Sequence, residues 1–426
     1  MNHQVVYGLL GNGLNVIIAP LKETSAVSTW VFAHGGSDYE TAENNGVHHF
    51  LEHMYFAGTN KRRASRDIWS TIEGNGGAMN AQTDRQVVGY GTVMNYRKLE
   101  LNLELIADIL FHSRFDPEDI EREKGVIIEE KKGSDDVSQE AIYELWDRHL
   151  FPNCSWGFPI IGPEENIRAM TRERLVACMQ EHYRSNLMIL AIAGMVDAQE
   201  TMALVNKYFS KARKGEKLVK LNGFKNTGYP QVSLQFKETK ETHLILGIRS
   251  NHHLFSPLKC ALELLGIILG GNSSSRLFTL VRGEKGLAYD VRTHNGVFTN
   301  RADLTTYAGI NHDNLEQVIK LILQEYRKTT INGLTQLELD LAKEYILGQM
   351  SRSLEESSTL AATLALKKLF SEPNPTPQQE MEAVKKVTLD EVNQVAQEVF
   401  KNGNKMNLVV LGPHRNQKQL EKLMRS

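Results

Sequence analysis

Landmarks in this chain recur at one interval, and that interval limits the possible fold more than any other feature. Thr171-Arg-Glu-Arg-Leu reappears as Thr388-Leu-Asp-Glu-Val, an offset of 217. The run ending Ala193-Gly194 returns as Leu411-Gly412, an offset of 218, and Phe115-Asp-Pro-Glu-Asp returns as Leu334-Thr-Gln-Leu-Glu, an offset of 219. Three landmarks at nearly one spacing argue for a duplicated domain of about two hundred residues. The competing reading is two unrelated α+β domains with similar punctuation. At 426 residues the chain is too long for one ordinary core, which fits either. The division expected is 1–210, a Lys- and Gly-rich linker at 211–230, and 231–426.

Within the first half, strands are expected at Leu14–Ala19, Ala26–Ala33, Ala78–Thr83, Gln86–Met94 and Leu187–Ala193. Helices are expected near Ser65–Glu73, Tyr96–His112, Thr171–Tyr183 and Gln199–Phe209. Asp116-Pro117 reads as the start of a long acidic helix, with Asp as N-cap and Pro at the first helical position.

The chemistry concentrates in Gly46-Val-His-His-Phe-Leu-Glu-His-Met-Tyr-Phe-Ala-Gly-Thr59. His49, Glu52 and His53 form H-x-x-E-H, which on a helix places the two imidazoles one turn apart on one face. Such a pair can grip one Zn²⁺, with Glu52 beside it as a candidate base for a water that the metal activates. Incidental histidines on a surface helix are the competing reading until a third ligand is found. Ile120-Glu-Arg-Glu-Lys-Gly-Val-Ile-Ile-Glu-Glu-Lys131 offers candidates: Glu123 and Glu130 lie seven apart, two turns along one helix face. His48 is turned about 100° from the metal face and is left out of the ligand set.

Gly-x-x-His-Phe-Leu-Glu-His-Met-x-Phe-x-Gly-Thr followed by Glu-Arg-Glu-Lys-x-Val-Ile-x-Glu-Glu resembles the pitrilysin and insulysin family of zinc peptidases, in its half-length branch typified by mitochondrial processing peptidase. The resemblance implies an α+β chain of two duplicated domains, each an antiparallel-rich mixed sheet covered by helices. In that family the third ligand follows 76 intervening residues, a count that lands on Glu130. Glu129 is the neighbouring rival, about 100° away around the helix. One Zn²⁺ per chain is then expected on His49, His53 and Glu130. Glu52 is expected to move the proton, and Glu123 to hydrogen-bond a ligand histidine.

The same resemblance implies that Asn80 and Ala81 lie on an edge strand to which a peptide adds as a further strand. Gln86 and Val88 depart from the usual continuation there, where an acidic residue and Thr are common, and this puts the local substrate preference in doubt. At the repeat offset His49 and His53 fall near Ile268 and Asn272, and Glu130 on Gln349, so the second copy has lost all three ligands. It carries instead Arg282 and Tyr289, which match the family's Arg and Tyr that reach the active site and contact substrate. The alternative for that pair is a salt-bridged Arg and a half-buried Tyr.

The expected activity is zinc-dependent endoproteolysis of unstructured peptides in a closed chamber. A homodimer with composite sites would form the chamber, the partner supplying the second wall. A non-catalytic scaffold subunit of the same fold, specific leader-peptide processing, and hydrolysis of another small substrate are the alternatives. Net charge is −2, with 41% hydrophobic and 23% charged residues, so nothing calls for a nucleic acid or an anionic membrane. Cys154, Cys178 and Cys260 are few and odd in number, which fits a reducing compartment. Without an apolar run long enough to span a bilayer or a recognisable N-terminal signal, a cytoplasmic enzyme is expected.

Overall fold

The computed structural model describes residues 5–216, 231–370, 376–401 and 405–425. Most of the expected linker, residues 217–230, lies outside them. The chain divides into two compact units. One comprises residues 1–131, 158–222 and 350–377, the other 132–157, 223–349 and 378–426.

In the first half, β1 (Val6–Leu9), β2 (Asn15–Pro20), β3 (Ala26–His34), β4 (Ala78–Thr83), β5 (Val87–Asn95) and β6 (Met188–Gly194) form one sheet in the order β1-β2-β6-β3-β5-β4. Its helices are α1 (Val47–Tyr55), α2 (Ser65–Glu73), α3 (Leu99–His112), α4 (Pro117–Asp136), α5 (Ser138–Leu150), α6 (Glu164–Arg168), α7 (Arg172–His182) and α8 (Ala198–Phe209). The second half supplies β7 (Val232–Phe236), β8 (Thr242–Ser250), α9 (Lys259–Gly266), β9 (Ala288–Val297), β10 (Ala302–Ile310), α10 (Leu315–Asn332), α11 (Gln336–Ser353), α12 (Ser357–Phe370), α13 (Pro377–Lys386), α14 (Leu389–Phe400), β11 (Asn407–Gly412) and α15 (Gln417–Met424). Its sheet runs β7-β11-β8-β10-β9.

The two sheets share one topology. The order β2-β6-β3-β5-β4 is matched strand for strand by β7-β11-β8-β10-β9, and each sheet has one parallel pair, β2·β6 and β7·β11, among antiparallel neighbours. The landmarks of the repeat are helix caps and strand ends. Thr171 and Thr388 accept hydrogen bonds from the amides of Arg174 and Glu391 as N-caps, and Gly194 and Gly412 close β6 and β11. The fold is thus the mixed, helix-covered double sheet that the resemblance implied.

Strand periodicity explains how the first sheet buries both faces. Val16, Ile18, Val27 and Val31 pack with α1, α3, α7 and α8 on one face, while Ile17, Ala19, Trp30 and Phe32 pack on the other. That second face is covered by Leu360, Ala361, Leu364 and Ala365 of α12, a helix of the second half of the sequence. In the other unit, α5 places Ile142, Leu145, Trp146 and Leu150 on Ile245, Tyr307, Val409 and Leu411. The sequence halves therefore describe the repeat, while each packing unit includes one helix numbered with the opposite half. No helix among the described residues is long and apolar enough to cross a membrane.

Candidate metal centre

Helix α1 presents its histidines from a fixed base. Val47, Phe50, Leu51 and Met54 recur at helical spacing and are buried in the main core of the first unit. Gly46 precedes the helix at a φ of 96°, and a Cβ there would lie 2.5 Å from the Ile161 carbonyl oxygen, so only glycine fits. A buried carboxylate meets the first amides: Glu40 accepts from Gly46 N at 2.8 Å and from His48 N at 3.0 Å.

On the face away from the core, His49 and His53 converge with Glu130. His49 Nε2 lies 3.6 Å from Glu130 Oε1, and His53 Nε2 lies 3.2 Å from Glu130 Oε2. Glu130 is carried by α4, which is seated in the core through Ile120, Ile127 and Ile128. One ligand atom from each of the three residues lies within 4.8 Å of the others, and Glu129 is not in this group. Donors ~2.1 Å from a tetrahedral cation stand roughly 3.4 Å apart, so these separations suit a zinc ion on two imidazoles and a carboxylate. The Glu130 side chain is 46% exposed, which leaves that side of the cluster open to water.

The electrostatics agree with a cation site. Burial works against a proton on His53, but the Glu123 and Glu130 carboxylates outweigh it and lift the imidazole to about 9. Hydrogen bonds from His49 and then His53 hold the Glu130 carboxyl well below the usual carboxylate range. A divalent ion would take the place of that imidazolium proton. Glu123 Oε2 lies 3.3 Å from His53 Nδ1, so with that nitrogen engaged it is Nε2, now facing Glu130, that would meet an ion.

Glu52 is on the same helix, and Thr83 Oγ1 donates to its Oε2 at 2.5 Å. Thr83 ends β4, so one short strand orients the glutamate. The sequence reading missed this threonine, since nothing local links residues 31 apart. Asn80 and Ala81 lie on β4, opposite Gly91 and Tyr90 of β5, and β4 is the sheet's terminal strand. Asn80 is exposed and Ala81 half-buried. Gln86 and Val88 are both buried, Gln86 donating to Asp38 Oδ2 at 2.8 Å, so the doubt they raised concerns the interior rather than a substrate surface.

Arg282 and Tyr289 belong to the other unit. Arg282 is exposed, its guanidinium 5.0 Å from the Phe278 ring centroid, and Tyr289, near the start of the edge strand β9, is 59% exposed. Arg282 has no carboxylate partner among the described residues. No histidine occurs in Lys259–Gly271, and Gln349 stands on α11 where α4 has Glu130.

Residues 15–164 match the model of the insulinase family (peptidase family M16), and residues 169–346 match that of the peptidase M16 inactive domain. An uncharacterized zinc protease of Bacillus subtilis, YmxG, is 30% identical over 91% of this chain and 94% of its own length. The uncharacterized zinc protease Rv2782c of Mycobacterium tuberculosis is 31% identical over 98% of this chain and 95% of its own. A solved protease from Helicobacter pylori superposes with a TM-score of 0.88 at 22% identity, covering 96% of this chain and all of that one. A peptidase M16 inactive domain from Pseudomonas fluorescens gives 0.88 at 19%, over 97% of this chain and 99% of the other. At those identities the structures speak for the fold alone. With two family models and relatives matched along nearly their whole length, the chain belongs to peptidase family M16, the insulinase family, in its half-length form.

Proposed function

We propose that this protein is a zinc-dependent endopeptidase that cuts unstructured peptides, with one Zn²⁺ per chain on His49, His53 and Glu130. The observation that carries the reading is the convergence of those three side chains at zinc-like separations, with Glu52 alongside and tied to Thr83. A bound Zn²⁺ would polarise the scissile carbonyl and acidify water. Glu52 takes a proton from the attacking water at its carboxylate and returns it to the departing amine. Glu123 holds His53 in the binding tautomer. The free edge of β4 accepts an extended peptide through backbone hydrogen bonds, and Asn80 and Ala81 hold it near the scissile bond.

Two exposed groups, Arg282 and Tyr289, suit a developing oxyanion and the substrate backbone. We assign them to the site of a second copy, so that a homodimer encloses a chamber with composite sites. Three cysteines, none in a disulfide among the described residues, fit a reducing compartment such as the cytoplasm. A scaffold role is disfavoured because none of the donors is missing. Backbone pairing along a strand edge selects for extension before sequence, which favours general peptide clearance over leader-specific processing.

The test is hydrolysis of a quenched, unstructured peptide by the zinc-loaded protein and by Glu52→Gln. The variant is expected to keep its zinc and lose about 10²- to 10⁴-fold in kcat. Equal rates in the two proteins would end the proposal.

A further inference from the structure

Helix α1 has a second face bearing a histidine, and it is wholly buried. His48 is 1% exposed, and its Nδ1 lies 3.0 Å from Glu40 Oε1. Facing it are Cys178 and His182, one turn apart on α7 and themselves 7% and 4% exposed. The His48 and His182 ring centroids are 4.5 Å apart, edge to face, no farther than the 4.9 Å between His49 and His53. One ligand atom from each of His48, Cys178 and His182 lies within 4.8 Å of the others, the same bound that holds for the first triad.

The hydrogen bonds around this cluster are those of a metal site. His48 Nδ1 is engaged by Glu40 and His182 Nδ1 by the His34 carbonyl oxygen at 3.0 Å, so Nε2 is the nitrogen left on each ring. Among the described residues His48 Nε2 is buried with no nitrogen or oxygen partner, and the polar group it meets is the Cys178 thiol. Gly35 keeps the space beside His48 Nε2 open, since a Cβ there would lie 3.1 Å from it. The charges also close: a divalent cation, the Cys178 thiolate and the Glu40 carboxylate sum to zero in a place where an uncompensated charge is expensive.

We propose that His48, Cys178 and His182 form a second, structural site for a zinc-class divalent ion, with Glu40 orienting His48 from outside. Two imidazoles and a thiolate are a softer set than His49, His53 and Glu130 and select zinc, cobalt or cadmium over magnesium or calcium. Binding displaces the Cys178 thiol proton to solvent. The ion joins α1 to α7 on the side of α1 away from Glu130, and so fixes the roll of the helix that carries His49, Glu52 and His53. The inference stands whether or not the protein cleaves peptides.

Metal content and cobalt spectra of the purified full-length chain test it. Wild type is expected to hold two equivalents and, loaded with Co²⁺, to show a thiolate-to-cobalt charge-transfer band in the near ultraviolet. His53→Ala/Glu130→Ala, which leaves the buried cluster untouched, should keep one equivalent and the band. Cys178→Ser should lose one equivalent and the band. Should Cys178→Ser fail to fold, Cys154→Ser/Cys260→Ser, with Cys178 as the sole thiol, must still show the band. A single equivalent in wild type that disappears in His53→Ala/Glu130→Ala, or cobalt protein without the band, overturns the site; neither result bears on hydrolysis by Glu52.

Discussion

Glu123 Oε2 stands 3.3 Å from Nδ1 of His53 while Nε2 of the same ring faces Glu130, so one imidazole is gripped from both ends by carboxylates two turns apart on α4. Glu123→Gln keeps the shape but weakens that grip. Zinc affinity is expected to fall about 10- to 100-fold, read by competition with a chelator of known strength. An unchanged affinity would leave Glu123 with no part in the centre.

Thr83→Val removes the hydroxyl that donates to Glu52 and nothing else of size. Zinc content should stay the same while kcat drops about tenfold, on the order expected from one lost positioning bond of ~1.4 kcal/mol. A matching fall in zinc content would instead place Thr83 among the supports of the metal.

Arg282→Ala and Glu52→Gln chains, each nearly inactive alone, should complement when mixed. Random pairing makes half of the dimers mixed, and each mixed dimer has one intact composite site, so about a quarter of wild-type activity returns. No recovery in isolated mixed dimers would show that each chain serves itself.

Arg276 and Glu338 set an acid limit. Arg276 Nε and Nη2 reach Glu338 at 2.5 and 2.9 Å. Burial pushes the Glu338 carboxyl up, but Arg276 and the Thr335 donors outweigh it and hold it at about 2. A carboxyl depressed on folding adds stability above its unfolded value, near 4.5, and that stability drains away as pH falls from there towards 2. Glu338→Gln should therefore lower the melting temperature at pH 7 and show a shallower loss than wild type between those pH values.

Leu360 on α12 is fully buried against the first sheet. Leu360→Ala is expected to cost about 2–5 kcal/mol, and hydrogen exchange should show the loss in β2, β3 and β6 of the first sheet. Exchange confined to the second half of the sequence would contradict that assignment.

These residues also show what a sequence reader can and cannot see. Alternation along Ala26–Ala33, the cap at Thr171 and the spacing of His49 and His53 are local, and each is a recognisable pattern before any coordinates exist. Glu130 needed the family count, since 76 residues separate it from His53. Residues 138–150 carry a helical apolar face, yet periodicity says that a face is buried, not that its partners are Ile245 and Val409. Cys178 and His182 repeat the spacing of His49 and His53, a signal open to view. Joining that pair to His48 takes the packing of α1 against α7, which no local spacing shows.

The place of α12 in the chain has a consequence for synthesis. When Phe209 leaves the ribosome, Trp30, Phe32 and Ile17 have every strand neighbour they need but no cover, and α12 follows roughly 150 residues later. At cellular elongation rates that is on the order of ten seconds during which a nascent β-surface is sticky. That interval leaves the surface open to aggregation, and a first fragment ending between the two repeats is expected to clump.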